Sequence, residues 1–437
     1  MTTARPLLAV LAALLALAPL ARAQDTLPAP TLPTENIIPG LPTLDLWGDF
    51  PRVDLATPSP ALRWPARLPA PDGRPGQIVP VEGVILKPQI FRTGSPPVPR
   101  RLADHVDARR LLAHAFPDDA RVLDEGPGAL MVAIERPEPG AMIPRRRRND
   151  AAATFRFVSA TQDPDAVIRP ERTWFAYFEP LNDAPTRAVV LLMPGMFGTP
   201  SGLLDRVTSD LRARGVGVLR MITQPSRFTE RLTIHLDPAA PPADLDAAAR
   251  NVAALYDTRA AECAFAAHAA LDHVQAAFPA AANKPVLAIG FSAGAITLPV
   301  VMAKDPARFA GAVLVGAGCH WWLMTELSNY RDMIDAVEFS WSREPDPATL
   351  ARVRDGYLRA SALDSFHVAP VVARVPAYYI QGARDLAVPA PLGDVLWERL
   401  GRPQRELIEG GHEVLFLQLA QRLERIYDWM DARLPTP

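Results

Sequence analysis

Three short motifs hold residue types able to do nucleophilic chemistry. Gly290-Phe291-Ser292-Ala293-Gly294 sets one serine between two glycines, directly after the apolar run Val286-Leu287-Ala288-Ile289 and before a helical stretch. A sharp turn from strand into helix strains the serine backbone, and flanking glycines make that turn sterically accessible. The same turn presents the hydroxyl at a helix N-terminus, where backbone amides can stabilise an oxyanion. A serine used this way needs a base, and the base needs an orienting acid. Asp385 follows the apolar run 377–380, which continues as Gln381-Gly382-Ala383-Arg384. It therefore stands at the C-terminal end of a predicted buried strand, the edge where open α/β sheets build their sites. His412 comes twenty-seven residues later, after Glu406-Leu407-Ile408 and the pair Gly410-Gly411, and a helical stretch follows it.

Each of these residues also has a plainer reading. Ser292 reads as a turn serine and His412 as a buried structural histidine. Asp385 reads as the cap of a turn before Pro389, which would leave Asp394 or Asp364 as the acid. His320, after Gly316-Ala317-Gly318, is the rival histidine. It sits beside Trp321 and Trp322 without a helix-opening turn, so lining a pocket suits it better. The tryptophan pair reads equally well as core. Cys263 and Cys319 are the only cysteines, a disulfide or two buried thiols. Neither has metal-ligand spacing, and His268 and His273, five apart, would point in different directions on a helix. No structural metal and no cofactor are predicted.

Positioning such residues takes a sheet. Continuous apolar runs at 188–193, 216–221, 285–289, 311–315 and 377–380 suit strands buried on both faces. Helical stretches at 203–214, 247–278 and 413–434 lie among them. Strand and helix in alternation predict a mostly parallel α/β sheet with helices on both faces. Before it, 154–158 and 173–178 alternate apolar with polar residues, as antiparallel strands do.

The first third has a different texture. Of 47 prolines in 437 residues, 17 fall between residues 24 and 100. Proline lacks the backbone donor, so this stretch is expected to be extended, loop-rich or built of short edge strands. A helical pattern at 101–114, a strand at 129–134 and an exposed loop at Arg145–Arg148 complete it. The expected organisation is a leader at 1–23, a proline-rich region or small accessory domain at 24–150, and the α/β domain at 151–437. The leader reading rests on Arg5, the apolar run 7–20 and the small residues Ala21 and Ala23. That run is short of the roughly 20 residues that span a bilayer. A secreted or periplasmic protein without a stable membrane anchor is therefore expected, cleaved after Ala23. A net charge of −2 argues against a nucleic-acid partner. Oligomeric state is not legible.

From about residue 150 onward the chain resembles the α/β-hydrolase superfamily, in its serine esterase and lipase-like branch. Gly-Phe-Ser-Ala-Gly, Gly-Ala-Arg-Asp-Leu-Ala-Val-Pro and Gly-Gly-His-Glu stand in the order Ser, Asp, His that this family shows. The resemblance implies Ser292 as nucleophile, His412 as general base and acid, and Asp385 as orienting acid, with no cofactor. It also implies an oxyanion hole from the amides of Ala293 and Met196, with Phe197 next in line. Pro194 stands where many relatives carry histidine, Ala295 replaces a further glycine, and Pro299 should kink the helix after the serine. The family usually inserts a cap after the strand at 311–315, so a helical cap is expected at about 320–370. Phe197, Phe291, Trp321 and Trp322 are the expected substrate contacts, and 223–246 a further wall. A small- or medium-sized carboxylic ester is the expected substrate. A serine peptidase similar to the prolyl-oligopeptidase group is the second reading, and a non-catalytic exported binding protein the third.

Overall fold

In a computed structural model, the described residues are most of 50–80, nearly all of 151–434, Trp47, and the strands at 85–88, 121–122 and 132–135. The expected leader, the helix at 101–114 and the arginine run at 145–148 lie outside the described residues.

The strands with continuous apolar sequence form where the pattern places them. They are β7 (Ala188–Met193), β8 (Val216–Met221), β10 (Val286–Phe291), β11 (Phe309–Val315) and β13 (Ala377–Gly382). With β5 (Ala153–Gln162), β6 (Val167–Phe178) and β14 (Gln404–Ile408) they build one sheet in the order β5-β6-β8-β7-β10-β11-β13-β14. β6 runs antiparallel to β5 and β8, and every later pair is parallel. β1 (Gln77–Pro80) extends the sheet beyond β5, and β3 (Arg121–Val122) pairs with β6. β2 (Ile85–Pro88) and β4 (Val132–Glu135) pair separately.

The period of two explains the unbroken apolar runs. Val189, Leu191 and Met193 of β7 face one layer, and Ala188, Val190 and Leu192 face the other. The first layer holds α2 (Pro242–Ala277), α3 (Ala293–Lys304), α6 (Ser365–Val372) and α7 (Ala390–Arg399). The second holds α1 (Ser201–Ala213), α8 (His412–Leu419) and α9 (Leu423–Asp431). The single closing helix expected at 413–434 is thus two. Between them Arg422 turns its guanidinium to Glu406 on β14, at 2.5 Å. Pro299 lies inside α3, which runs on to Lys304. Among the described residues, no helix is long and apolar enough to cross a membrane.

The insertion after β11 is only partly helical. α4 (Trp321–Leu327) and α5 (Pro347–Ala360) flank β12 (Val337–Trp341), which pairs in parallel with β9 (Leu232–Leu236). The expected helical cap and the expected wall at 223–246 are therefore joined by a two-stranded sheet. Leu232, Ile234 and Leu236, and likewise Val337, Phe339 and Trp341, alternate with polar residues as strands do, but the partner of each lies about a hundred residues away.

The described proline-rich stretch packs on the first layer, within a unit that runs from Asp49 to Pro437. Phe50, Val53, Leu62 and Trp64 rest on its core. Arg67 reaches Glu262 of α2 at 2.8 Å with both side chains fully buried, and Ser159 donates to the other oxygen of Glu262 at 2.6 Å. Glu171 lies beside Ser159 in the strand register and is 2% exposed. Burial, and then the neighbouring charge of Glu262, push its carboxyl up to about 8.

Two outcomes follow for stability. Arg67→Met leaves Glu262 buried without its cation, so urea denaturation should show a loss of about 3 kcal/mol. A loss under about 1 kcal/mol would contradict the role given to the pair. Glu171 stays protonated when folded but ionises at the ordinary carboxylate value when unfolded. Its contribution is complete at low pH and falls as pH rises toward 8. Glu171→Gln keeps the neutral shape, so melting curves should show the variant gaining on wild type between pH 5 and pH 8. A gap moving the other way sinks this account.

Candidate functional site

β10 ends at Phe291, and α3 begins at Ala293, so the chain reverses its geometry at Ser292 alone. Ser292 adopts φ +49°, ψ −117°, a conformation L-residues avoid. Its N–H donates to Val315 O at 2.8 Å and its carbonyl accepts from Ile296 N at 2.9 Å, so sheet and helix hold both sides. The flanking glycines are obligatory. A Cβ on Gly290 would stand 2.7 Å from Ala295 Cα, and one on Gly294 would stand 2.4 Å from Met193 O. Both approaches lie well inside van der Waals contact.

Asp385 sits on the loop after β13 and is fully buried. The amides of Ala387 and Val388 both donate to its Oδ1 at 2.9 Å, which leaves Oδ2 for another donor. That donor is His412 Nδ1 at 2.6 Å, and His412 Nε2 lies 3.0 Å from Ser292 Oγ. With the Nδ1–H given to Asp385, Nε2 is the acceptor for the serine hydroxyl. The imidazole is walled by the rings of Phe416 at 5.0 Å and Tyr330 at 5.7 Å. Gly316, at φ +64°, leaves room beneath it, since a Cβ there would lie 3.1 Å from His412 Cε1.

The loop after β7 faces Ser292 from the other side. A Cβ on Gly195 would stand 3.1 Å from Ser292 Cβ. Gly195 N–H is taken by Thr199 Oγ1 at 2.8 Å, and Pro194 O accepts from Gln224 Nε2 at 2.8 Å. Gln224 in turn accepts from Cys263 Sγ at 3.6 Å. With the Gly195 amide occupied, the next along the loop belongs to Met196, which packs against the first layer. Phe197 lies outside the described residues.

The remaining sequence candidates fall elsewhere. Phe291 is core of the second layer, against Phe416 at 6.1 Å. Trp322 is 1% exposed and stacks on Phe339 at 4.1 Å, so it forms the core of the insertion rather than a substrate wall. Trp321 packs on Phe228 and Tyr256. Its Nε1 finds no hydrogen-bond partner among the described residues. His320 caps α4 at φ 60° and accepts from Leu323 N at 3.3 Å; burial pushes its imidazole down to about 4. Asp364 is saturated by His320 N, Trp321 N, Phe366 N and Tyr357 OH. Asp394 pairs with Arg405. Cys263 and Cys319 are buried free thiols. Among the described residues no three of His, Cys, Asp and Glu gather to hold a metal ion.

Phe416 was not named among the sequence candidates, Gln224 entered only as part of the expected wall at 223–246, and Glu413 only as the last residue of the Gly-Gly-His-Glu motif. Phe416 was discoverable, since it lies one helical turn beyond His412. Nothing in the sequence around Gln224 points to the Pro194 carbonyl as its partner.

The turn makes a prediction about stability. Gly294→Ala drives a methyl into the Met193 carbonyl and should cost about 2 kcal/mol or more in denaturant titration. Gly202→Ala, on an exposed face of α1 where a Cβ meets nothing within 4 Å, should be neutral or stabilising. Equal tolerance of the two substitutions would contradict the geometry.

No protein-family model matches the sequence, and no curated protein matches it. Among solved structures it is similar to a cold-adapted esterase from an Arctic intertidal metagenomic library: 17% identity, 65% of this chain, 97% of that one, TM-score 0.36. It is also similar to Est1E from Butyrivibrio proteoclasticus, at 13% identity, 63% of this chain, 98% of that one and TM-score 0.39. An acylaminoacyl peptidase from Pyrococcus horikoshii shares 10% identity over 61% of this chain and 40% of its own, at TM-score 0.41. By its own strand order, its helices on both faces and the tight turn at Ser292, the chain has the α/β-hydrolase fold.

Proposed function

We propose that the protein is an exported serine hydrolase that cleaves carboxylic esters through an acyl-enzyme on Ser292. The observation that carries this reading is the unbroken line from Asp385 Oδ2 through His412 to Ser292 Oγ, at 2.6 and 3.0 Å. His412 Nε2 takes the serine proton as Oγ attacks the ester carbonyl, and Asp385 holds the imidazole in the tautomer that leaves Nε2 free. The amides of Ala293 and Met196 receive the developing oxyanion, the larger part of the rate enhancement in such sites. His412 then returns its proton to the departing alcohol, and water repeats the sequence in reverse to release the acid. No cofactor takes part. A small or medium ester is the substrate class, admitted beside an insertion that lies against the histidine. Export follows from the leader-like residues 1–23, with cleavage after Ala23.

The test is labelling of the full-length protein by a fluorophosphonate probe, together with hydrolysis of p-nitrophenyl acetate and butyrate. Wild type should label and turn over. Ser292→Ala should do neither, with kcat/KM down by about 10³-fold or more, and Asp385→Asn should lose about 10²- to 10⁴-fold. Activity that survives Ser292→Ala ends the reading. A matched panel of peptide amides decides the bond, and a clear preference for amides would replace the esterase assignment with a peptidase.

A further inference from the structure

Among the described residues, the insertion meets the loops of Asp385 and His412 through the short segment Ser328-Asn329-Tyr330, which closes α4. Ser328 Oγ donates to Ala387 O at 2.7 Å, and Asn329 N donates to Leu386 O at 3.0 Å. Both acceptors lie on the loop whose amides hold Asp385. Tyr330 N donates to Ser328 Oγ at 3.0 Å, which fixes the turn. The tyrosine then crosses to the other loop: its hydroxyl donates to Glu413 Oε1 at 2.5 Å, beside His412 at the start of α8. Its ring meets the imidazole edge-on, 5.7 Å between centroids and 81° between planes. Burial and the adjoining carboxylate of Glu413 push the phenol well above its usual range, so it stays a donor. A structural role in closing α4 needs only the Ser328 and Asn329 contacts. The span to Glu413 and the ring on the imidazole go beyond it.

We propose that Tyr330 is a positioning residue for His412. Through Ser328 and Asn329 it is anchored to the Asp385 loop, and through Glu413 to α8, so it fixes the distance and tilt of the imidazole between the acid and Ser292. Displacing a catalytic group by about 1 Å can cost on the order of 10²-fold in rate, so a strut at this point has leverage. The inference rests on the proposed hydrolase reading, and the insertion thereby acts on the proton transfer as well as on substrate access.

The experiment uses the full-length protein with p-nitrophenyl acetate, with kcat expressed per site titrated by the fluorophosphonate probe. Tyr330→Phe keeps the ring and loses the strut, and kcat should fall about 5- to 10-fold with KM within about twofold. Tyr330→Ala loses both and should fall about 10²-fold. Glu413→Leu should match Tyr330→Phe, and the double variant should be no worse than the poorer single, because one bond is removed twice. Unchanged kcat in Tyr330→Phe and Tyr330→Ala overturns the proposal. So does a raised KM at constant kcat, which would make Tyr330 a substrate contact, and so does full additivity with Glu413→Leu. A wild type that neither labels nor turns over overturns the hydrolase reading and this proposal with it. A labelled wild type with indifferent variants overturns this proposal alone.

Discussion

The turn at Ser292 is the constraint to which the other loops of the site are fitted. A non-glycine residue at φ +49° costs roughly 1–3 kcal/mol and persists only where its surroundings over-determine it. Here they do. β10 lies in the middle of the sheet, α3 is almost wholly buried, and the Ser292 amide and carbonyl are both bonded. The constraint is not confined to one residue, because the neighbours pack closely against it. Gly294 packs beneath the carbonyls of Met193 and Pro194, and Gly195 closes on Ser292 Cβ. The loop after β7 is therefore located by the same turn that exposes the serine hydroxyl. Gln224 and Thr199 then fix its polar groups, one at the Pro194 carbonyl and one at the Gly195 amide.

The acid and the histidine come from the other flank of the sheet, where backbone bonds do most of the positioning. β13 and β14 run in parallel register up to Gly382 and Ile408. Beyond the strands, Ala383 N donates to Ile408 O and Arg384 N donates to Gly410 O, at 2.8 and 2.9 Å. The two loops are thus stitched together before any side chain is considered. Bonds of this kind order little that folding has not already ordered, so they locate Asp385 and His412 at small entropic cost. The two amides on Asp385 Oδ1 extend the same economy to the carboxylate itself.

The sheet and the motif loops were legible because their signals are local. β7 and β8 match their apolar runs at both ends, and Gly290 and Gly294 announce the turn through the absence of Cβ atoms that would collide. Asp385 and His412 could be singled out because each follows a strand. What sequence could not display is pairing over distance. The β9·β12 sheet joins segments about a hundred residues apart, and the apolar alternation within each strand does not say which segment it pairs with. Gln224 reaches the Pro194 carbonyl from thirty residues away. Trp321 and Trp322, adjacent and aromatic, invited a reading as pocket walls, yet Trp322 is simply the apolar centre of the insertion. Burial, unlike turn chemistry, is decided by everything that packs around a residue.

The proline excess of the first third has a physical counterpart in residues 50–70. This stretch crosses the first layer without joining a sheet, so most of its backbone has no ladder partner. Proline suits such a course, since it fixes φ and brings no N–H that burial would leave unpaired. Specific polar contacts hold the stretch in place. Leu68 N bonds Ala160 O at 2.8 Å, Arg399 bonds Leu55 O and Ser59 Oγ, and Arg67 pairs with Glu262. Arg67 is the costly one, because its charge and that of Glu262 are wholly removed from water. Glu262 precedes Cys263, whose thiol meets Gln224, which holds the loop facing Ser292. The strap's deepest contact therefore falls on α2 at the residue next to the one that reaches Gln224. Phe50, Val53, Leu62 and Trp64 of the strap pack on the same layer as Met196 of that loop.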